Sequence, residues 1–179
     1  MNSQTTISSL NVSLERDLFL RSLIRELSGI LQDIIGYEET SGYISLVGQN
    51  IGEWINSAYK QELGVSSLTR EQVADVLVDL KARINGKFSL VSQDDGRIVL
   101  ENFRCPFEDK VYDRPSMCMM TSNVFGVIAA ENLGYAKVVI DRAIANRDDR
   151  CSIIVYLETS PESKASVGRE YFQSMGDVD

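Results

Sequence analysis

The stretch KFSLVSQDDGRIVLENF, Lys87 to Phe103, decides the fold, because here the apolar pattern changes from helical spacing to period two. Phe88 and Leu90 alternate with polar neighbours, as do Ile98 and Leu100, and Asp94-Asp95-Gly96 separates the two runs. Alternation on both sides of a short Asp/Gly turn predicts a β-hairpin, with Gly96 able to accept positive φ.

Upstream of this hairpin the chain reads as helical. Leu14, Leu18, Leu23, Leu27, Leu31 and Ile34 recur at helical spacing, widened by Leu20, Ile24 and Ile30, between a Ser13 cap and a Gly36 stop. A second helix is expected over Ile44 to Leu63, closed by Gly64. Gly48 and Gly52 share one face of it, where another backbone or a ligand can come close. Each helix-interior glycine costs about 1 kcal/mol relative to alanine, so something should compensate. Thr69-Arg70-Glu71-Gln72 has the form of a capping box and introduces a third helix carrying Val73, Val76, Leu77, Leu80 and Ile84.

Downstream, the irregular, charged segment Cys105 to Pro115 leads into a fourth helix, Ser116 to Leu133, ended by Gly134. Two further strands, Tyr135 to Ile144 and Cys151 to Glu158, flank a polar loop. The expected architecture is α+β, in the order α-α-α-β-β-α-β-β: N-terminal helices packed with a four-stranded antiparallel sheet. Residues 1–12 read as a flexible N-terminus, 13–158 as a single domain, and 159–179 as a polar C-terminal tail in which Tyr171 and Phe172 could dock.

The chain has 179 residues, 44% apolar and 25% charged, with a net charge of −8. No basic stripe is present for direct binding to nucleic acid, so any link to transcription would run through another polypeptide. No apolar run approaches the roughly 20 residues that cross a bilayer, and Met1 to Asn11 lacks the regions of a signal peptide. A cytoplasmic location and no membrane partner are expected. Disulfides are disfavoured there, so an odd set of three cysteines reads as reduced thiols or metal ligands.

Those three, Cys105, Cys118 and Cys151, stand in a chain without a single histidine. Cys105 precedes Pro106, which restrains its backbone to an extended form. Cys118 falls in the first turn of the fourth helix, where unpaired N–H groups and the dipole favour a thiolate. Cys151 opens an apolar strand. Three thiolates without histidine suit Zn²⁺ or an iron–sulfur cluster with one non-cysteine ligand. Glu108, Asp109, Asp113, Asp141 or an exogenous molecule could supply the fourth position. The plain alternative is packing: free cysteine is often a small buried filler, and Cys151 alternates with Ile153, Val155 and Leu157.

Cys105-Pro106-Phe107, Pro115-Ser116-Met117-Cys118 and Asp148-Asp149-Arg150-Cys151-Ser152-Ile153 together resemble the methanogen output domain, a relative of the four-vinyl-reductase-like ligand-binding domains. The resemblance runs from about Leu14 to Leu157. It implies N-terminal helices on a twisted four-stranded antiparallel sheet, a fold shared with a vesicle-tethering subunit family, and a sensory or ligand-binding role for residues 13–158. The cysteine pieces are also similar to the cluster-binding half of iron–sulfur repressors. Gly48, Gly52, Gly126 and Gly134 resemble glycine positions of the ligand-binding relatives. Two features depart from these patterns. Asp141 is followed three positions on by Ile144, where four-vinyl-reductase-like domains often carry Glu-x-x-Cys, and the basic winged helix of the repressors is missing.

Other signals have ordinary explanations. Trp54, Tyr43 and Tyr59 could line an apolar pocket near the glycine pair, or simply pack on an amphipathic helix. Met117, Met119 and Met120 read as core filler or an adaptable interface, and Asp148-Asp149 as a solvated hairpin tip. No catalytic set emerges: without histidine, Ser-His and Cys-His chemistry are excluded, and no phosphate loop is present. The expectation is therefore a non-enzymatic, homodimeric sensory protein holding a [4Fe–4S] cluster, or Zn²⁺, on Cys105, Cys118 and Cys151. It would signal redox state or a gas bound at the open iron, through the fourth helix, to a kinase, phosphatase or transcription regulator. A small-molecule binding module and a zinc-stabilised dimeric scaffold are the alternatives.

Overall fold

The computed structural model describes residue 7 and residues 11–174. Three helices come first: α1 (Arg16–Ile35), α2 (Tyr37–Leu63) and α3 (Arg70–Ala82). The hairpin β1 (Phe88–Gln93) and β2 (Arg97–Asn102) precedes α4 (Cys118–Leu133), β3 (Tyr135–Arg142) and β4 (Cys151–Tyr156). A short α5 (Pro161–Ala165) and β5 (Arg169–Phe172) end the fold.

The architecture is α+β, but the sheet has five antiparallel strands in the order β1-β2-β4-β3-β5 rather than four. The fifth strand comes from the segment read as a polar tail. It pairs with β3 from Tyr135↔Phe172 to Val138↔Arg169. Arg169-Glu170-Tyr171-Phe172 is too short and too charged to announce a strand by pattern. Tertiary packing orders it: Tyr171 is buried with its ring over Gly126 and its hydroxyl 2.9 Å from Ser122 Oγ. Most of the N-terminal stretch read as flexible lies outside the described residues.

Local chemistry explains the helix ends. Thr69 and Gln72 form both halves of the capping box that starts α3. Gly36 ends α1, yet α2 restarts at once at Tyr37, seven residues before the expected Ile44: Glu38 and Glu39 suit a first turn, and the burial of Thr40 and Ser41 holds the segment helical despite Gly42. Glu15, not Ser13, occupies the α1 N-cap position. In the hairpin, Gly96 keeps negative φ, and Asp94 makes the turn instead, its Oδ1 accepting from the Gly96 and Arg97 N–H groups at 2.9 Å each.

Helix α4 lies between α2 and the sheet and is buried continuously from Ser122 to Ala130, as an element apolar all round must be. Gly48 and Gly52 serve this packing. A Cβ on Gly48 would meet Asn123 at 2.9 Å, and one on Gly52 would meet Val127 at 3.1 Å. The close approach is that of another helix, which rules out the ligand-facing role for the pair. The main core gathers α3, α4 and the sheet around Leu77, Ile98, Leu100, Phe125, Ile128 and Val155.

Candidate functional site

A second, smaller core forms beyond the Cys105 end of the sheet. Val111, Met117, Ala143, Ile144 and Ala145 are its buried members, and all three cysteines pack against it. Each sulfur arrives from a different element: Cys105 from the turn after β2, Cys118 from the first residue of α4, Cys151 from the first residue of β4. They line one cavity of about 30 Å³, with Phe88, Asn102, Pro106, Phe107, Met117, Thr121, Ile140 and Ile153. That is room for about two waters.

Backbone and amide donors surround the sulfurs. The Ile144 N–H lies 3.4 Å from Cys151 Sγ, and the Asn102 amide 4.0 Å from it. N–H groups of Phe107 and Glu108 draw down the Cys105 thiol, but burial outweighs them and pushes it up. Burial also raises Cys151, against the same Ile144 and Asn102 donors. Cys118 is pushed up to about 12, first by burial and then by the other two cysteines. The expected thiolate-favouring helix terminus is overridden by loss of water, so these groups are neutral thiols until something displaces their protons.

None of the carboxylates considered for a fourth position lines the cavity. Glu108 bonds to Arg21 and Arg104 at 2.7 and 2.9 Å, Asp109 to Lys110 at 2.9 Å, and Asp113 to Arg147 at 2.6 Å. Asp141 is exposed where β3 bulges against β4. The Asp148 side chain is more than a solvated tip, since its Oδ2 accepts from the Ala143 N–H at 2.8 Å and closes the loop before β4.

That cavity therefore offers three sulfurs and no carboxylate, while Cys105 also borders an outer pocket shared with Glu108 and Asp109. Among the described residues no three Cys, Asp or Glu side chains converge on a point that would hold one ion. A zinc ion demands such convergence, with each sulfur about 2.3 Å from the metal. What the cavity does offer is a soft donor set, three sulfurs without an oxygen ligand, which is the chemistry of thiolate-bound metals rather than of hard cations.

Three participants are invisible to motif reading. Asn102 is buried and holds the corner where β2 leaves the sheet, its Oδ1 accepting from Lys87 and Arg104 N–H groups at 3.1 and 3.0 Å. Thr121 lines the cavity one helical turn from Cys118 and accepts from Lys81 Nζ at 2.8 Å. Lys81 itself is buried behind it. A lysine on the expected apolar face of α3 would have been the available signal.

The cavity wall from Cys105 to Met117 is irregular, with left-handed backbone at Glu108 and Asp113. Helix α1 holds it. Arg25 donates to the Lys110 and Tyr112 carbonyls at 2.7 and 2.8 Å, Arg21 pairs with Glu108, and Ser116 Oγ donates to Gln32 at 3.3 Å. No described helix is long and apolar enough to cross a membrane.

The family model of methanogen output domain 1 matches residues 23–156. A comparison with curated proteins finds no match. Among solved structures, the chain is similar to a trafficking protein particle complex subunit 3 from Naegleria fowleri covalently bound to palmitic acid. The two are 12% identical with a TM-score of 0.55, over 87% of this chain and 99% of that one. It is also similar to the phenol-responsive sensory domain of the transcription activator PoxR with phenol, at 14% identity and a TM-score of 0.58, over 86% of this chain and 81% of that one. At such identities the likeness is one of fold.

Proposed function

Because this chain belongs to the methanogen output domain 1 family, we propose that it is a sensory domain of a signalling system whose three cysteines hold an iron–sulfur cluster, [4Fe–4S] first and Zn²⁺ second. One observation carries this reading: Cys105, Cys118 and Cys151, from three separate elements, line one cavity with no carboxylate among them. Bound there, a cluster supplies a one-electron centre with one iron not held by cysteine, open to a gas or small ligand.

The chain's own residues would turn occupancy into a signal. A cavity with room for two waters is smaller than a cluster, so the Cys105–Met117 wall must move outward to admit one. Arg21, Arg25 and Gln32 tie that wall to α1, so the displacement reaches α1 as well as α4, whose first residue is Cys118. On α1, Leu20, Leu23, Leu27, Ile30 and Ile34 are exposed at alternating spacings of three and four. That is the seam of a coiled coil, and its partner is a second copy of this chain. A kinase, phosphatase or transcription regulator would read the dimer.

The deciding experiment is the ultraviolet–visible spectrum of anaerobically purified protein with iron and sulfide analysis. A coloured protein that loses iron in Cys105→Ser, Cys118→Ser and Cys151→Ser supports the reading. A colourless one without iron or sulfide sinks it, and one equivalent of zinc moves the assignment to a structural site.

A second reading rests on a different place. The outer faces of α2 and α3 form an apolar groove of about 720 Å³, lined by Trp54, Tyr59, Leu63, Leu80 and Ile84. Its size is that of a small-molecule site. The phenol-binding sensory domain of similar fold makes aromatic compounds the first ligands to test by thermal shift.

A further inference from the structure

Lys81 sits in the last turn of α3 and is buried, with 5% of its surface exposed. Its ammonium has three N–H donors, and one of them is used, on Thr121 Oγ1 at 2.8 Å. The rings of Phe88 and Phe125 lie 5.6 and 5.3 Å away and offer their negative faces. Among the described residues, no Asp or Glu forms a salt bridge with it. A buried ammonium without an anion is costly, and proteins keep one where a partner charge arrives.

The groups placed to supply that charge are the three cysteines. Thr121, which accepts from Lys81, lines the cavity beside all of them. Phe88 lines the same cavity and lies under the ammonium. The end of α3 is also locked to the Cys105 turn through Gly86: a Cβ there would meet the Lys81 carbonyl oxygen at 3.1 Å and Pro106 at 3.0 Å.

We propose that Lys81 is the fixed counter-charge of the three-cysteine site, favouring an anionic occupant and making its reduction easier. This rests on the cluster reading above. Three thiolates outweigh the positive charge of an oxidised cluster core, and reduction adds a further negative charge. A nearby ammonium, poorly screened because it is buried, stabilises the reduced form more than the oxidised one. Lys81 is a positioning charge behind Thr121 and not a ligand.

The test is a redox titration of the full chain, purified anaerobically, as wild type, Lys81→Met, Lys81→Gln and Lys81→Arg. With iron and sulfide content unchanged, both neutral variants should make reduction at least tenfold less favourable. That is a fall of about 59 mV for one electron. Lys81→Arg should stay near wild type. Folded neutral variants that lose the cluster while Lys81→Arg keeps it also support the counter-charge. Clustered neutral variants with an unchanged potential overturn it and leave the cluster reading standing, as does an arginine variant shifted as far as the neutral ones. A wild-type protein without iron and sulfide overturns both.

Discussion

Arg21 on α1 reaches 87 residues along the chain to Glu108, placing a guanidinium nitrogen 2.7 Å from its carboxylate. The contact joins the helix carrying the exposed seam to the segment carrying Cys105. Glu108 has left-handed backbone and is held there by Arg21 and Arg104, which also keep its carboxyl below the usual range.

Arg25 should matter more than Arg21 to this junction. The Arg21–Glu108 pair is partly open to water, and removing it costs about 1 kcal/mol or less. Arg25 places a charged donor on two backbone carbonyls, and losing it costs roughly 2–3 kcal/mol. Urea denaturation of Arg21→Ala and Arg25→Ala reads the difference. Hydrogen exchange over residues 105–117 should rise in both, and exchange unchanged in Arg25→Ala would sever α1 from the cysteine segment.

The stability of cluster-free protein should climb from about pH 8 to 9, driven by Lys81, whose own contribution continues to about 10.5. Burial lowers the Lys81 ammonium from 10.5 to about 8, so between these values the unfolded chain binds more protons than the folded one. The Lys81 contribution therefore rises with pH across that window and is lost as pH falls through it. The cost of the charged ammonium at pH 7 is on the order of 3 kcal/mol. Above pH 9 the buried Cys118 thiol opposes this trend, since the folded state holds its proton up to about 12. Lys81→Met should then be more stable than wild type at pH 7, with the gap narrowing by pH 10. Equal urea midpoints at pH 7 would contradict the burial argument.

Acid should strip the site. All three thiols are raised by burial, so occupancy by a metal centre requires displacing their protons, and each proton displaced changes apparent affinity tenfold per pH unit. Visible absorbance followed down from pH 8 should fall with a slope steeper than one proton. A flat profile down to pH 5 would mean that cysteines are not the ligands.

Gly126→Ala should be severely destabilising, by about 3 kcal/mol or more, because the added methyl would overlap the Tyr171 ring. Tyr171→Ala in the same chain should recover part of the loss. If Gly126→Ala melts like wild type, β5 does not dock as described.

Charge on the α1 seam should separate the copies. Leu27 and Ile30 are 55% and 54% exposed, so glutamate at both positions costs the single domain little. Size-exclusion chromatography with light scattering should show a dimer for wild type and a monomer for Leu27→Glu/Ile30→Glu. A monomeric wild type would remove the second copy as the partner.

Much of this structure was legible from local pattern. The capping box at Thr69, the Gly36 and Gly134 stops and the period-two runs flanking Asp94 each depend on residues within one or two turns, and the fold follows them. The fifth strand was not legible, because Arg169 to Phe172 becomes a strand only when Tyr171 finds Gly126 on a helix more than forty residues away. Spacing left the glycine pair of α2 open between ligand and helix, and the packing of α4 resolves it.

By itself the sequence determined the element types from α1 to β4, the absence of histidine chemistry and the three sulfurs available to a soft site. Tertiary structure alone decided that the sulfurs share a cavity, that no carboxylate joins them and that a buried ammonium stands behind them. The reason is physical: helix caps and alternation act between near neighbours on the chain, whereas burial and counter-charge arise between elements that only folding brings together.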